Sequence, residues 1–508
     1  MAGRFDRAFF FLLDGARVDI FEELLHKGEL PNIARHIVER GSYRPATTVF
    51  PSVTGVAYIP YLTGLFPGRA NIPGYRWFDR ERYHRRPLSV MRFRNYHGLG
   101  SYLMDRDLSK SATTLFELLK PSSNIFSGIS RGTGIRRNAA YFRRVPATLK
   151  FFRTGDWDHI DAAGERFLLR AARRKNEKFT FHTTYSIDEY SHHHGPFSTR
   201  ARERYAEFDK VLGRLVHTLT RTGQLDSSLF VLGADHGHTE VKEHFDLEGF
   251  VERLGYKTLY YPKHVKRWLG ADAAVMVAGN GVGHIYFKGP AKWTERHAAE
   301  VHLDKHPTLV DDLLANDAVD HVIYRGADEV HVRARRGGAA IKLDDGHVEY
   351  RVTDGADPFG YGALPARMSR AEVLERTADS DYPDAPLQVA QLFDSPRAGD
   401  FVVSATPGYD LRAGEKERRE YRSCHGSLHR EHMRVPFALN VPTVARPPRS
   451  VDAFPTILEL MGREPPPGID GRSLLSQLDF SRARLALRGK AARTRRRGRR
   501  HRRTRSRG

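Results

Sequence analysis

Ala8-Phe9-Phe10-Phe11-Leu12-Leu13-Asp14-Gly15 begins with six apolar residues and stops them on a carboxylate. A run this short, rich in aromatic side chains and free of alternation, reads as a strand buried on both faces. A helical pattern follows at once, with Ile20, Leu24 and Leu25 and then Leu30–Ile37. A strand that hands over to a helix with a carboxylate at its end is the pattern of an open α/β sheet. Such sheets bind ligands at the carboxyl ends of their strands.

The pattern recurs along the chain. Phe179–Ile187 is a β-type run ending at Asp188, and Ser228–Gly233 leads into Ala234-Asp235-His236. Phe401–Ala405 is a further apolar run, preceded by Gly399-Asp400. Thr199–Thr218 between them is amphipathic, with Tyr205, Phe208, Val211, Leu212 and Leu215 on one face. This alternation predicts a mostly parallel central sheet with helices on both faces. Residues 1–246 and 383–480 are expected to form that core. Residues 247–382 break the rhythm and read as partly core, partly inserted cap: an aromatic, helical Tyr256–Trp268, a hairpin-like Val330–Asp344 and a loop-rich Asp354–Pro365.

The net charge of +21 is unevenly spread. Ser481–Gly508 holds fourteen Lys/Arg and no acidic residue, which leaves +7 for the other 480 residues. Such a block repels itself and has little to bury, so 481–508 is expected to be a disordered tail. It suits contact with nucleic acid or an anionic surface through counterion release. The longest apolar runs are too short to span a bilayer, no signal peptide is visible, and the single Cys424 excludes an internal disulfide framework. These features favour the cytoplasm.

Five segments carry residues suited to chemistry: Asp14-Gly15; Phe50-Pro51-Ser52-Val53-Thr54-Gly55; Asp188-Glu189-Tyr190-Ser191-His192; Asp235-His236-Gly237-His238; and His425-Gly426. Each alone has a plain structural explanation, such as a turn, a helix cap or a solvated histidine. Asp188 and His192 are four apart and meet on one side of a helical turn, which suits a first-row metal. Three Asp, three His and a hydroxyl are the donors two zinc-like ions need, with manganese as the alternative.

In this order the segments resemble the alkaline phosphatase superfamily, and most closely its type I phosphodiesterase/nucleotide pyrophosphatase branch. Thr54 precedes Thr63 of Thr63-Gly64-Leu65-Phe66-Pro67 by the nine residues that separate that branch's nucleophile from the same signature. Asp188 to Pro196 matches its Asp-x-x-x-His-x-x-Gly-Pro. The resemblance implies an alkaline phosphatase-like fold and a phospho-threonine intermediate at Thr54. It also implies one ion on Asp188, His192 and His425, and another on Asp14, Asp235, His236 and Thr54. His193, His194 and His238 are given no ligand role. The branch's two phosphate-side Asn positions fall here on Ala57 and near Tyr75, so Gly55 or Tyr75 is expected to contact the phosphoryl oxygen, and Trp77 is a candidate for stacking on substrate.

The expected function is thus a metal-dependent phosphodiesterase acting on a small or lipid-like phosphate ester. Within the superfamily the alternative is a phosphomonoesterase or phosphonate hydrolase. From another class, the alternative is an inactive scaffold or a polyanion-binding protein working through the basic tail.

Overall fold

The computed structural model describes residues 4–139, 157–260, 269–295, 297–412 and 421–475. The opening run forms β1 (Arg7–Leu13), buried along its whole length. It lies inside a six-stranded sheet with β2 (Ser42–Tyr43), β3 (Ser122–Ile125), β4 (Phe179–Thr184), β5 (Ser228–Gly233) and β6 (Phe437–Leu439), in the order β2-β6-β5-β1-β4-β3. Strands β5, β1, β4 and β3 are parallel; at one edge β6 runs antiparallel to β5, and β2 antiparallel to β6. Helices α1 (Val18–His26), α2 (Ile59–Thr63), α3 (Asp158–Ala172), α4 (Ser186–His194) and α5 (Thr199–Arg221) supply the crossovers that parallel strands require.

Both faces of the sheet are covered, as the phenylalanines of β1 record. Phe11 packs edge-on against Phe208 of α5 at 5.6 Å. Phe10, pointing the other way, lies 4.8 Å from Tyr61 of α2. Each such ring, fully buried, contributes about 1.5–3 kcal/mol. A charge at Phe10 or Phe11 would break the sheet from inside.

Residues 247–382 supply eight strands of a second, nine-stranded sheet. The described part of Tyr256–Trp268, residues 256–260, is not the helix its composition suggests. Thr258–Tyr260 is a strand beside Ala273–Ala278, and 261–268 lies outside the described residues. The hairpin is present as Val330–Ala334 against Gly337–Asp344. Phe401–Ala405 also belongs here and not to the parallel sheet, sitting antiparallel between Val282–Phe287 and Val319–Arg325. An unbroken apolar run announces burial on both faces without saying in which sheet. Val402 joins the main core, while Phe401, Val403 and Ala405 face a second core. The second sheet thereby rests on the first domain's core. No helix among the described residues is long and apolar enough to cross a membrane. The Arg-rich stretch 481–508 lies outside the described residues.

Candidate metal-centred active site

Strand pairing brings the first donors together. Leu12 of β1 pairs with Gly233 of β5, so Asp14 and Asp235, each two residues further on, leave the sheet side by side. Gly15 N–H donates to Asp235 Oδ1 at 3.0 Å, which ties the two strand ends. His236 follows, with Nε2 3.6 Å from Asp14 Oδ1 and 3.3 Å from Asp235 Oδ2. Thr54 occupies the turn before a 3-10 turn, Val56–Tyr58, that runs into α2, with Gly55 at φ +78°. Its Oγ1 is 3.1 Å from His236 Nε2 and 3.4 Å from Asp14 Oδ1.

The second group depends on a helix. β4 ends at Thr184, short of the expected Ile187, because Asp161 of α3 accepts the N–H groups of Tyr185 and Ser186 at 3.0 and 3.2 Å and starts α4 there. Asp188 and His192 therefore share one face of α4, with Nε2 and Oδ1 3.5 Å apart. His425 arrives from far down the chain, with Nε2 4.0 Å from Asp188 Oδ1. It is held by backbone bonds to both neighbours of Asn280: His425 N–H to Gly279 O at 2.9 Å and Gly281 N–H to His425 O at 2.9 Å. A Cβ on Gly281 would lie 2.6 Å from that carbonyl, so the second sheet's hairpin turn needs glycine to reach the site.

These donors form two compact sets, Asp14/Asp235/His236 and Asp188/His192/His425. Their hydrogen bonds suit metal binding. The Nδ1 atoms of His192, His236 and His425 face backbone carbonyls of Ser423, Gly237 and Ser52 at 2.8, 3.1 and 3.0 Å. A carbonyl only accepts, so Nδ1 carries the proton and a neutral ring offers its Nε2 lone pair inward. Burial pushes His236 down to about 3 and His425 well below the usual histidine range, which keeps both neutral. The carboxylates need a cation: burial, Asp235 and Asp188 hold Asp14 well above the usual range, and burial raises Asp235 to about 7. Asp235 Oδ2, wholly buried, has no hydrogen-bond partner among the described residues. Burial would raise Asp188 too, but His192, His238 and His236 outweigh it and hold the group well below the usual range. The donor set thus fits two divalent ions.

Two contributors stand outside the expected list. Tyr58 is fully buried and donates its hydroxyl to Asp14 Oδ2. His238 is fully buried as well and reaches Asp188. Tyr58 is four residues past Thr54 and His238 two past His236, but only the folded chain reveals what they touch.

The expected substrate residues divide. Tyr75 is half-buried beside the nucleophile turn, its ring 3.8 Å from where a Gly55 Cβ would stand. Trp77 is turned into the core: it is 2% exposed and donates Nε1–H to Tyr96 at 2.9 Å. Arg94 and Arg397 lie against its ring at 5.1 and 4.5 Å, and a ring so buried offers no surface for a substrate. Ala57 is fully buried.

The family model for type I phosphodiesterase / nucleotide pyrophosphatase matches residues 8–428. No curated protein sequence matches. Among solved structures, phosphonoacetate hydrolase from Sinorhizobium meliloti 1021 is similar at a TM-score of 0.54 and 16% identity, over 89% of this chain and 94% of that one. Murine ectonucleotide pyrophosphatase/phosphodiesterase 5 is similar at 0.53 and 15%, over 91% and 96%. The human protein of that name gives 0.55 and 14%, over 92% and 97%. At such identities the likeness establishes the fold, alkaline phosphatase-like and α/β.

Proposed function

We propose, on the premise that the chain belongs to the type I phosphodiesterase/nucleotide pyrophosphatase family, that it cleaves a phosphodiester through a phospho-threonine on Thr54. Members of this family are metal-dependent phosphoric-ester hydrolases, and this chain is one. The observation carrying the finer reading is the position of Thr54 Oγ1, 3.1 Å from His236 Nε2 and 3.4 Å from Asp14 Oδ1.

On this reading Asp14, Asp235, His236 and Thr54 hold one ion, and Asp188, His192 and His425 the other. Three carboxylates with three imidazoles suit zinc, with manganese as the alternative. Two such cations supply Lewis acidity, which lowers the pKa of the Thr54 hydroxyl and offsets charge on the phosphoryl group. Thr54, held on its turn by Gly55, loses its proton to solvent and attacks phosphorus in line; the Thr54 O–P bond forms as the ester P–O bond breaks, and the leaving alkoxide takes a proton from solvent and departs as the alcohol. Water then attacks phosphorus and breaks the Thr54 O–P bond, releasing the phosphate monoester and restoring the Thr54 hydroxyl. On this reading the Tyr75 hydroxyl, kept protonated by burial, donates to a phosphoryl oxygen where relatives of the branch use Asn, a role supported by its ring lying beside the Gly55 turn.

The diester assignment rests on charge. Among the described residues, Asp14, Asp188 and Asp235 have only imidazoles as ion-pair partners, and no Lys or Arg. A monoester brings an additional negative charge and generally needs a further cationic contact, which the described residues do not place beside these carboxylates. The test compares bis-p-nitrophenyl phosphate with p-nitrophenyl phosphate on metal-stripped enzyme resupplied with Zn²⁺ or Mn²⁺. Faster diester turnover, dependent on metal and on Thr54, is expected. A faster monoester would transfer the assignment to a phosphatase. Two bound ions with neither ester hydrolysed would favour the scaffold reading.

A further inference from the structure

We infer that His238 is a positioning residue for the ion held by Asp188, His192 and His425: its Nε2–H fixes the Asp188 carboxylate without itself ligating the metal. His238 Nε2 lies 2.9 Å from Asp188 Oδ1, closer than any of the three imidazoles assigned as ligands, at 3.5, 3.9 and 4.0 Å. By distance alone His238 completes a third donor set with Asp188 and His236.

The hydrogen bonds argue for a different role. An ionised carboxylate only accepts, so as a hydrogen bond this contact puts the proton on His238 Nε2. In the neutral ring Nδ1 must then accept, and its neighbour, 3.1 Å away, is the hydroxyl of Ser423, which can rotate to donate. His192, His236 and His425 are arranged the opposite way, with Nδ1 on carbonyls and Nε2 without a proton. Four buried imidazoles thus divide into three with a lone pair facing the carboxylates and one with a proton facing them. The place of His238 is also built by its surroundings. Arg17 donates to the His238 carbonyl. Gly15, at φ +74°, leaves the space, since a Cβ there would stand 2.6 Å from His238 Nε2 and 2.9 Å from the Asp188 Cα.

The inference rests on assigning Asp188, His192 and His425 to one ion. Its test is Zn²⁺ binding to the full-length protein in competition with a chromophoric chelator, for wild type, His238→Ala, His238→Gln and Ser423→Ala. Wild type should hold two ions. His238→Ala should weaken one of them about 10–100-fold, as loss of such an outer partner does, and leave the other unchanged. His238→Gln should restore most of the loss, because its amide N–H reaches the same point. Ser423→Ala should give a smaller weakening of the same ion. Equal weakening in His238→Ala and His238→Gln would make the ring nitrogen a ligand and overturn the inference. So would wild-type affinities in His238→Ala or, should that variant not fold, in Ser423→Ala. Fewer than two ions on the wild type would refute the ligand assignment itself.

Discussion

Asp14 and Asp235 meet across adjacent strand ends with one imidazole between them, whereas Asp188 stands alone among four. The two halves of the site therefore carry opposite electrostatic problems. In the first, burial and like charge push both carboxylates up, and one oxygen has no hydrogen-bond partner among the described residues. In the second, imidazoles draw the carboxylate down. The first half asks for a cation to relieve it, while the second offers lone pairs to whatever cation arrives. Thr54 sits on the first half, where a positive charge has most to offset.

Removing the nucleophile should separate chemistry from binding most sharply. Thr54→Ala is expected to lower kcat for the diester about 10⁴-fold or more, as loss of a covalent nucleophile does, while both ions stay bound. His425→Ala, in the other half, should instead lose one ion. Metal analysis beside the turnover assay distinguishes them. Thr54→Ala with near wild-type turnover would move the nucleophile elsewhere.

The next contrast is in pH. In chelator-treated protein, the folded pKa of Asp235, about 7, lies above its unfolded value. The native state then holds the additional proton between about pH 4 and 7. That stability is present at the acid end and is lost as pH rises through 7. Asp188 behaves inversely: its depressed pKa adds stability above about pH 4 that is lost on acidification. Asp235→Asn, which cannot ionise, should therefore match wild type near pH 4 and gain on it toward pH 8, by on the order of 4 kcal/mol. Urea unfolding of both proteins across that range gives the measurement. Parallel stability curves would show that the first half is not electrostatically crowded.

The two halves also differ in how plainly the amino-acid order announces them. Asp14 and Asp235 are legible because a buried run that stops on a carboxylate places it at a strand's carboxyl end, and parallel neighbours place two such ends together. The i, i+4 spacing joins Asp188 to His192 wherever the helix begins, so the early end of β4 moved the boundary without harming the pair. His425 follows no local rule. Its place depends on Gly279 and Gly281, in a hairpin turn of a sheet whose topology no periodicity specifies, and only family resemblance reached it. Phe401–Ala405 was open to misplacement for the same reason. Trp77 resembled a stacking platform in composition, yet it is buried against two arginines that lie far apart in sequence. Residues defined by a partner across the chain, such as Tyr58 and His238, leave no local trace.

The smallest expected effect tests whether each half's carboxylate depends on a neutral donor. Tyr58 does for Asp14 what His238 does for Asp188: its hydroxyl donates to one carboxylate oxygen, Oδ2, and leaves Oδ1 facing Thr54 and His236. Burial, and then Asp14 itself, keep the phenol protonated far above its usual range, so the donor is permanent. Tyr58→Phe retains the ring that packs 6.1 Å from Phe181 and removes the hydroxyl alone. Without it Asp14 resists ionisation more strongly, and the first half should bind its ion about 10–100-fold more weakly while the second half is unchanged. This is the reverse of the pattern expected for His238→Ala, so the two variants together assign each ion to its half. If both weaken the same ion, the division into an Asp14 half and an Asp188 half is wrong, and the carboxylates act as one shared cluster.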